Sequence, residues 1–248
     1  MHIFVSDVHL GSKLGNPAKR ESEFIKFLKE LPKETKTLFL LGDIFDYWFE
    51  YKNSIQEEYR PVLNTLKEVV DRGIKVYFAK GNHDWWTFGY LEKEIGLTVI
   101  DQPYLVELDG KLFCVGHGDA LGVKKLGVRL MTAVFHNKLA ISLYKLLPNS
   151  WTKPIANYFS HGRKGWKEDY KYNYKGDQEP LCQYLYDYFK DSERKPDFYV
   201  FGHYHTEWEH QMSCGGVLYI LPDWIQGSGF RYFGGIMTSG GSLQKMLL

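Results

Sequence analysis

Five polar clusters rich in metal-ligating side chains are spread over residues 7 to 205: "SDVHLG" carries Asp7 and His9, "GDIFD" carries Asp43 and Asp46, "GNHD" carries Asn82, His83 and Asp84, "GHGD" carries His117 and Asp119, and "GHYH" carries His203 and His205. They hold five of the nine histidines, leaving only His2, His136, His161 and His210 elsewhere, so the imidazoles are concentrated at these points. One such cluster alone carries little weight. A strand-end Asp is commonly a helix cap, a lone buried His a satisfied core residue, and "GNHD" a turn. Five in succession point to chemistry. Asp7, His9, Asp43, Asn82, His117, His203 and His205 are seven candidate ligands, more than one ion takes and suited to two ions that share a carboxylate. Carboxylate and amide oxygens mixed with imidazole nitrogens, without a thiolate, favour Mn²⁺, Fe²⁺ or Zn²⁺ over a structural zinc cluster.

Such clusters act together only if the fold brings them together. Each directly follows a short apolar run, "HIFV" (2–5), "TLFLL" (37–41), "KVYFA" (75–79), "LFCV" (112–115) and "FYVF" (198–201), and these read as buried strands. Segments with helical spacing separate the first three: "KRESEFIKFLKELP" and "EEYRPVLNTLKEVVDRG", the second ending on Gly73 where a helix C-cap would fall. This alternation predicts an α/β fold with right-handed crossovers and a largely parallel sheet covered on both faces. In such sheets the carboxyl ends of the strands share one edge, so the five clusters are expected to converge there. The tail, "GGVLYILPDW", "FRYFGGIM" and "SLQKMLL", reads as further strands joined by Gly-rich turns.

At 248 residues the chain suits one core with at most one appended element. The appended element is residues 121–167, which hold Lys124, Lys125, Arg129, Lys138, Lys145, Lys153, Arg163, Lys164 and Lys167 and no Asp or Glu. Against a chain total of +1, these nine positive charges leave the remainder at a net of −8. The same segment contains "VRLMTAVFHNKLAISLYKLLPNSW", apolar over more of a helix circumference than one buried stripe requires. We read it as a helical cap inserted into a core of residues 1–120 and 168–248. Cys114, Cys182 and Cys214 are odd in number and far apart, which argues against a disulfide framework and fits a reducing cytoplasm. "MHIFVSDVHLG" lacks the basic start and long apolar stretch of a signal peptide, and no apolar run has the roughly 18–20 residues of a membrane span. Any membrane contact is therefore expected to be peripheral.

The order D-x-H, G-D-x-x-D, G-N-H-[DE], G-H, G-H-x-H resembles the signature of the calcineurin-like metallophosphoesterases, over residues 7 to 205. The resemblance implies a β-sandwich flanked by helices and a two-metal hydrolase of phosphoesters or pyrophosphates. It implies that Asp7, His9 and His205 hold one ion, that Asn82, His117 and His203 hold the other, and that Asp43 bridges. His83, left over from the ligand set, then suits stabilising the phosphoryl transition state or protonating a leaving oxygen. Asp84 or Asp46 would orient it, or a ligand histidine.

Within that superfamily, "GDIFDYWFEYK", the basic apolar insertion after "GHGD", "FHNKLAISLYKLLPNSW" and "LPDWIQGS" are similar to the UDP-2,3-diacylglucosamine pyrophosphohydrolase family of lipid A biosynthesis. That resemblance implies Mn²⁺-dependent release of UMP and 2,3-diacylglucosamine 1-phosphate at the inner face of the inner membrane, with attack on the uridine-side phosphorus. The residues agree with a lipid substrate, because an over-apolar helical element with only positive charge can hold acyl chains while Lys and Arg meet phosphates and anionic headgroups. A helical hairpin packed against its own core or a dimer partner, with solvated basic faces, is the competing reading. Arg163, Lys164 and Lys167 are candidates for diphosphate contacts and Trp85, with Trp86, for the pocket wall. Nucleic acid is not expected, since the basic segment is filled with aliphatic side chains. A metallophosphodiesterase or nucleotide pyrophosphatase acting on a soluble substrate is the alternative enzyme, and a non-catalytic scaffold the alternative outside catalysis.

Overall fold

A computed structural model of the chain describes residues 1–51, 55–123, 126–145, 147, 173–225, 231–235 and 244–247. Strands β1 (His2–Val5), β2 (Thr37–Leu41) and β3 (Lys75–Ala79) are buried almost throughout, as parallel strands covered on both faces should be. Their side chains alternate between two different environments. Ile3, Val5, Leu38, Leu40, Val76 and Phe78 pack beneath two helices, α1 (Pro17–Lys29) and α2 (Arg60–Asp71). Phe4, Phe39, Leu41, Tyr77 and Ala79 face the opposite way, into a second sheet. An aromatic stack crosses that layer, with Phe39 4.7 Å from Tyr77, Phe4 4.9 Å from Phe39, and Phe4 5.6 Å from Phe113 of the second sheet.

The first sheet runs β11-β10-β1-β2-β3-β4, with β1 to β4 (Thr98–Ile100) mutually parallel and β10 (Arg231–Gly235) and β11 (Gln244–Leu247) antiparallel at one edge. The second runs β5-β6-β7-β9-β8, built from Tyr104–Leu108, Lys111–Val115, Phe198–Phe201, Val217–Ile220 and Trp208–Gln211 in that order. Its inner face meets the first sheet. On its outer face Cys114, Tyr199, Phe201, Leu218 and Ile220 pack on α5 (Pro180–Phe189). The result is the expected β-sandwich flanked by helices. The difference from the single parallel sheet lies in β6 and β7, which pair with each other in parallel but belong to the second sheet. Their apolar runs look the same whichever sheet receives them, because both faces are buried in either case.

Local signals account for the connections. Asn16 caps α1 by accepting from the Lys19 N–H at 3.1 Å, and Pro17 occupies the first turn. Gly73, at φ +87°, ends α2 as the sequence suggests. Asp109 and Gly110 both have positive φ and join β5 to β6 in a two-residue hairpin. Within residues 121–167, α3 (Leu126–His136) and α4 (Lys138–Tyr144) follow one another, with Asn137 capping α4.

Candidate metal centre

The carboxyl ends of β1, β2, β3, β6 and β7 deliver all five clusters to one rim of the sandwich. His205 Nε2 lies 3.4 Å from Asp7 Oδ1, and His9 Nε2 lies 3.8 Å from both Asp7 Oδ1 and Asp43 Oδ2. His117 Nε2 lies 3.2 Å from Asp43 Oδ2 on the other side. Besides a set formed by His9, Asp46 and His83, two groups of candidate ligand atoms result, Asp7–His9–His205 and Asp43–His117–His203, the atoms of each of the three within 4.8 Å of one another. Asp43 reaches toward His9 and His117 and so stands between the groups.

The local backbone is bent to make this possible. Among the described residues seven non-glycine positions have positive φ, and five of them are Asp7, His9, Asp43, His203 and His205. Left-handed conformations cost free energy for such residues, so their concentration at one rim marks strain held in place by the surrounding fold. The glycines of the motifs allow close approach. A Cβ on Gly81 would fall on Asp43 Oδ1, and one on Gly202 would fall on Ser6 Oγ and Asp7 Oδ2. The His203 N–H donates to Asp7 Oδ2 at 2.9 Å, joining the two sheets at the site.

Each of three imidazoles is turned by a contact at its Nδ1 that directs Nε2 toward the centre. His117 Nδ1 donates to the Leu41 carbonyl at 2.9 Å. His9 Nδ1 faces Asp46 Oδ1 at 3.3 Å, and His205 Nδ1 faces Asp223 Oδ2 at 3.0 Å. Asp223, whose backbone neighbour Trp224 donates to the Asp7 carbonyl at 3.0 Å, is absent from the sequence-derived residue set. It follows β9 as a single Asp in "LPDW", and no local pattern separates it from a turn residue. Of the two carboxylates expected to orient an imidazole, Asp46 is the one that faces His9 and His83. Asp84 instead spends both oxygens on backbone N–H groups of residues 43–45 and 81.

His83 is buried, and its Nδ1 lies 2.8 Å from the Asp46 carbonyl, which can only accept, so Nδ1 carries a proton. Its ring stands edge-on to His9 at 4.8 Å. Burial lowers the pKa of His83 against the opposing pull of Asp43. Burial lowers His203 to about 4, with His117 adding to the effect. For His9, desolvation is overcome by Asp46 and Asp7, which raise it to about 10, and for His117 it is overcome chiefly by Asp43.

The residues fit a pair of divalent ions. Asp7 Oδ1 and Asn82 Oδ1 are buried oxygen atoms with no hydrogen-bond partner. Buried polar atoms are rarely left so unless something else binds them. Oxygen donors combined with imidazole Nε2 atoms, and no sulfur, match a first-row divalent ion.

Beyond this rim the motif strings continue into an aromatic box. Tyr47, Phe49 and Trp86 pack together with Tyr51, Trp85, Phe135, Ile141 and Tyr144, the last three from α3 and α4. Trp86 Nε1 donates to the Phe135 carbonyl at 3.3 Å, and the Trp86 and Tyr144 rings stack at 6.0 Å. Trp85 is partly buried beneath the Lys80 ammonium, 4.6 Å from its ring centroid. On α3 and α4, Leu126, Leu130, Val134, Leu139 and Leu143 are between 50% and 78% exposed. Arg163, Lys164 and Lys167 lie outside the described residues.

Comparison with known proteins agrees with this arrangement. The family model described as calcineurin-like phosphoesterase matches residues 3–207. The chain is similar to a UDP-2,3-diacylglucosamine hydrolase of Porphyromonas gingivalis, 33% identical over 98% of this chain and 97% of that protein. Proteins of the same name from Haemophilus influenzae, 26% identical over 89% of each chain, and from Photorhabdus laumondii, 32% identical over 62% of each, are also similar.

Proposed function

Because the chain belongs to the calcineurin-like phosphoesterase family, we propose that it is a metal-dependent hydrolase cleaving the pyrophosphate of UDP-2,3-diacylglucosamine to UMP and 2,3-diacylglucosamine 1-phosphate, a step of lipid A biosynthesis. The observation that carries this reading is the alignment to the Porphyromonas gingivalis hydrolase, which at 98% of this chain takes in the cap segment as well as the core.

In this reading Asp7, His9 and His205 would hold one divalent ion and Asn82, His117 and His203 the other, with Asp43 shared; Mn²⁺ is the proposed metal. When bound, such a pair supplies an activated water and neutralises charge on the phosphate. The protein's own groups do the rest. Asp46, Asp223 and the Leu41 carbonyl fix the ring orientations of His9, His205 and His117. His83, its Nδ1 proton engaged by the Asp46 carbonyl, is proposed to act on the phosphate once its ring is doubly protonated. Burial favours neutral His83, and a bound phosphate anion would favour the imidazolium, so His83 would take up a proton from solvent as substrate binds and pass it to the leaving oxygen.

Residues 121–167 are proposed as a cap on the core formed by 1–120 and 168–248. Its outward Leu and Val stripe, with Lys138 and Lys145 exposed beside it, suits acyl chains and an anionic membrane surface met from the cytoplasmic side. Among the described residues no helix is long and apolar enough to cross a membrane. Trp85 is proposed to wall the substrate pocket, and Arg163, Lys164 and Lys167 to contact the diphosphate. The test compares UMP release from detergent-dispersed UDP-2,3-diacylglucosamine, from soluble UDP-sugars and from an aryl phosphodiester. Turnover of the acylated compound well above the others supports the lipid substrate. Equal or exclusive turnover of the soluble compounds leaves a soluble-substrate phosphodiesterase or nucleotide pyrophosphatase.

A further inference from the structure

Arg20 lies in the first turns of α1, yet only 2% of it is exposed. Side chains early in a helix lean back toward its N-terminus, and this one reaches the loop that follows β1. Its Nη2 donates to the carbonyls of His9 at 3.1 Å and Ser12 at 2.8 Å, and its Nη1 to the carbonyl of Leu14 at 3.0 Å. One guanidinium therefore fastens the turn in which His9 adopts φ +49°.

A buried guanidinium is costly unless it is compensated. Desolvation lowers the pKa of Arg20, and the carboxylates of Asp46 and Asp223 act against that. These are the carboxylates that face Nδ1 of His9 and Nδ1 of His205. Arg20 thus touches the backbone of one candidate ligand and lies in the field of the groups that orient two. The two ligands so oriented, His9 and His205, belong to the Asp7–His9–His205 group. The hydrogen bonds of Arg20 go to none of Asn82, His117 and His203.

We infer that Arg20 is a positioning residue for one ion of the pair: through three backbone carbonyls it fixes the turn that carries His9, so its loss weakens the ion held by Asp7, His9 and His205 and spares the other. The inference rests on the two-metal reading above. Lysine is not an equivalent, since a single ammonium cannot span three carbonyls as the planar fork does.

The test counts metal rather than turnover. The full chain is loaded with Mn²⁺ and challenged with chelator of increasing strength, and retained metal is measured for wild type, Arg20→Lys and Arg20→Met. Wild type is expected to release two equivalents. In both variants one equivalent should leave about 10- to 100-fold more readily, the usual effect of losing a residue behind a metal ligand, with the second unchanged. Asn82→Ala and His205→Ala backgrounds assign the affected ion. Arg20→Lys should strip the remaining ion from the Asn82→Ala chain and add little to His205→Ala.

Equal weakening of both ions, or of neither, would overturn the inference while leaving the two-metal reading intact. A wild-type chain that takes up no metal would instead overturn both. If Arg20→Met does not fold, Arg20→Lys decides, with the unfolding midpoint of its metal-free form checked against wild type.

Discussion

Asp84 binds the backbone of Ile44: its Oδ2 accepts the Ile44 N–H at 2.7 Å while its Oδ1 accepts from Gly81 at 2.8 Å and Asp43 at 3.1 Å. One buried carboxylate therefore locks the "GDIFD" turn to the "GNHD" turn. The spacing of Asp43 from Asn82 is set through main-chain contacts, before any ion is considered.

Asp84→Asn replaces one acceptor oxygen with an amide NH₂ facing N–H donors. The metal-free variant should be about 2–4 kcal/mol less stable than wild type, the cost of stranding buried donors and losing bonds to a charged acceptor. Urea unfolding at pH 8 measures it. That pH lies above the value of about 7 to which burial, aided by Asp43, raises this carboxyl. A loss well under about 1 kcal/mol would mean the bonds are dispensable.

Metal uptake should release protons. In the metal-free protein His9 is raised to about 10, where Asp46 and Asp7 outweigh desolvation, and His117 is raised well above its ordinary value, chiefly by Asp43. Both are protonated at pH 7 and must lose a proton to bind through Nε2. Titration calorimetry in buffers of different ionisation enthalpy should therefore report about two protons released. Apparent affinity should rise with pH until those groups deprotonate.

By the same sign argument, His9 and His117 stabilise the metal-free fold fully below the ordinary histidine value near 6.5, and for His9 this contribution disappears as pH rises through about 10. His203, lowered to about 4 mainly by burial, acts the other way: its contribution is present above 6.5 and lost as pH falls through 4. Unfolding midpoints of metal-free protein across pH check both limbs.

Gly202→Ala should cost activity through geometry. The new Cβ would press on Ser6 Oγ and Asp7 Oδ2, so that the Asp7 carboxylate must move or β7 must shift. Overpacking of this kind costs about 1–3 kcal/mol. We expect weaker metal retention together with a lower unfolding midpoint. Gly127→Ala, where a Cβ would meet nothing within 4 Å, serves as the control.

Trp86→Ala should loosen α3 and α4 from the turns that carry the candidate ligands. Its ring lies against Phe49, Phe135 and Tyr144, at 5.8, 5.4 and 6.0 Å. The expected result is a raised KM for the acylated substrate, with hydrolysis of a small aryl phosphodiester reduced less. Equal loss on both substrates would show that the aromatic box supports the metal turns rather than the cap.

The convergence of the candidate ligands was legible in the sequence because they are written in contiguous strings. Asp7 and His9, or His203 and His205, are two apart at a strand end, and the adjoining glycines record where backbone meets carboxylate. The groups behind the candidate ligands are less visible. Asp223 acts on His205 across 18 residues, and Arg20 bonds to carbonyls, which leave no trace in side-chain identity. The division into two sheets was hidden for a related reason. β6 and β7 are apolar on both faces like β1 to β3, so periodicity cannot assign them to a sheet. The Asp109–Gly110 hairpin, in contrast, carries a readable two-residue turn signal.

The most direct test of the two-metal hydrolase uses metal-stripped wild type and Asp43→Ala with UDP-2,3-diacylglucosamine in detergent, quantifying UMP and 2,3-diacylglucosamine 1-phosphate before and after Mn²⁺ is restored. The account predicts no release without metal, equimolar products once it is returned, and a rate roughly a thousandfold lower or worse for Asp43→Ala, about 4 kcal/mol of barrier. UMP release that survives chelation, or that persists at the wild-type rate in Asp43→Ala, would contradict it.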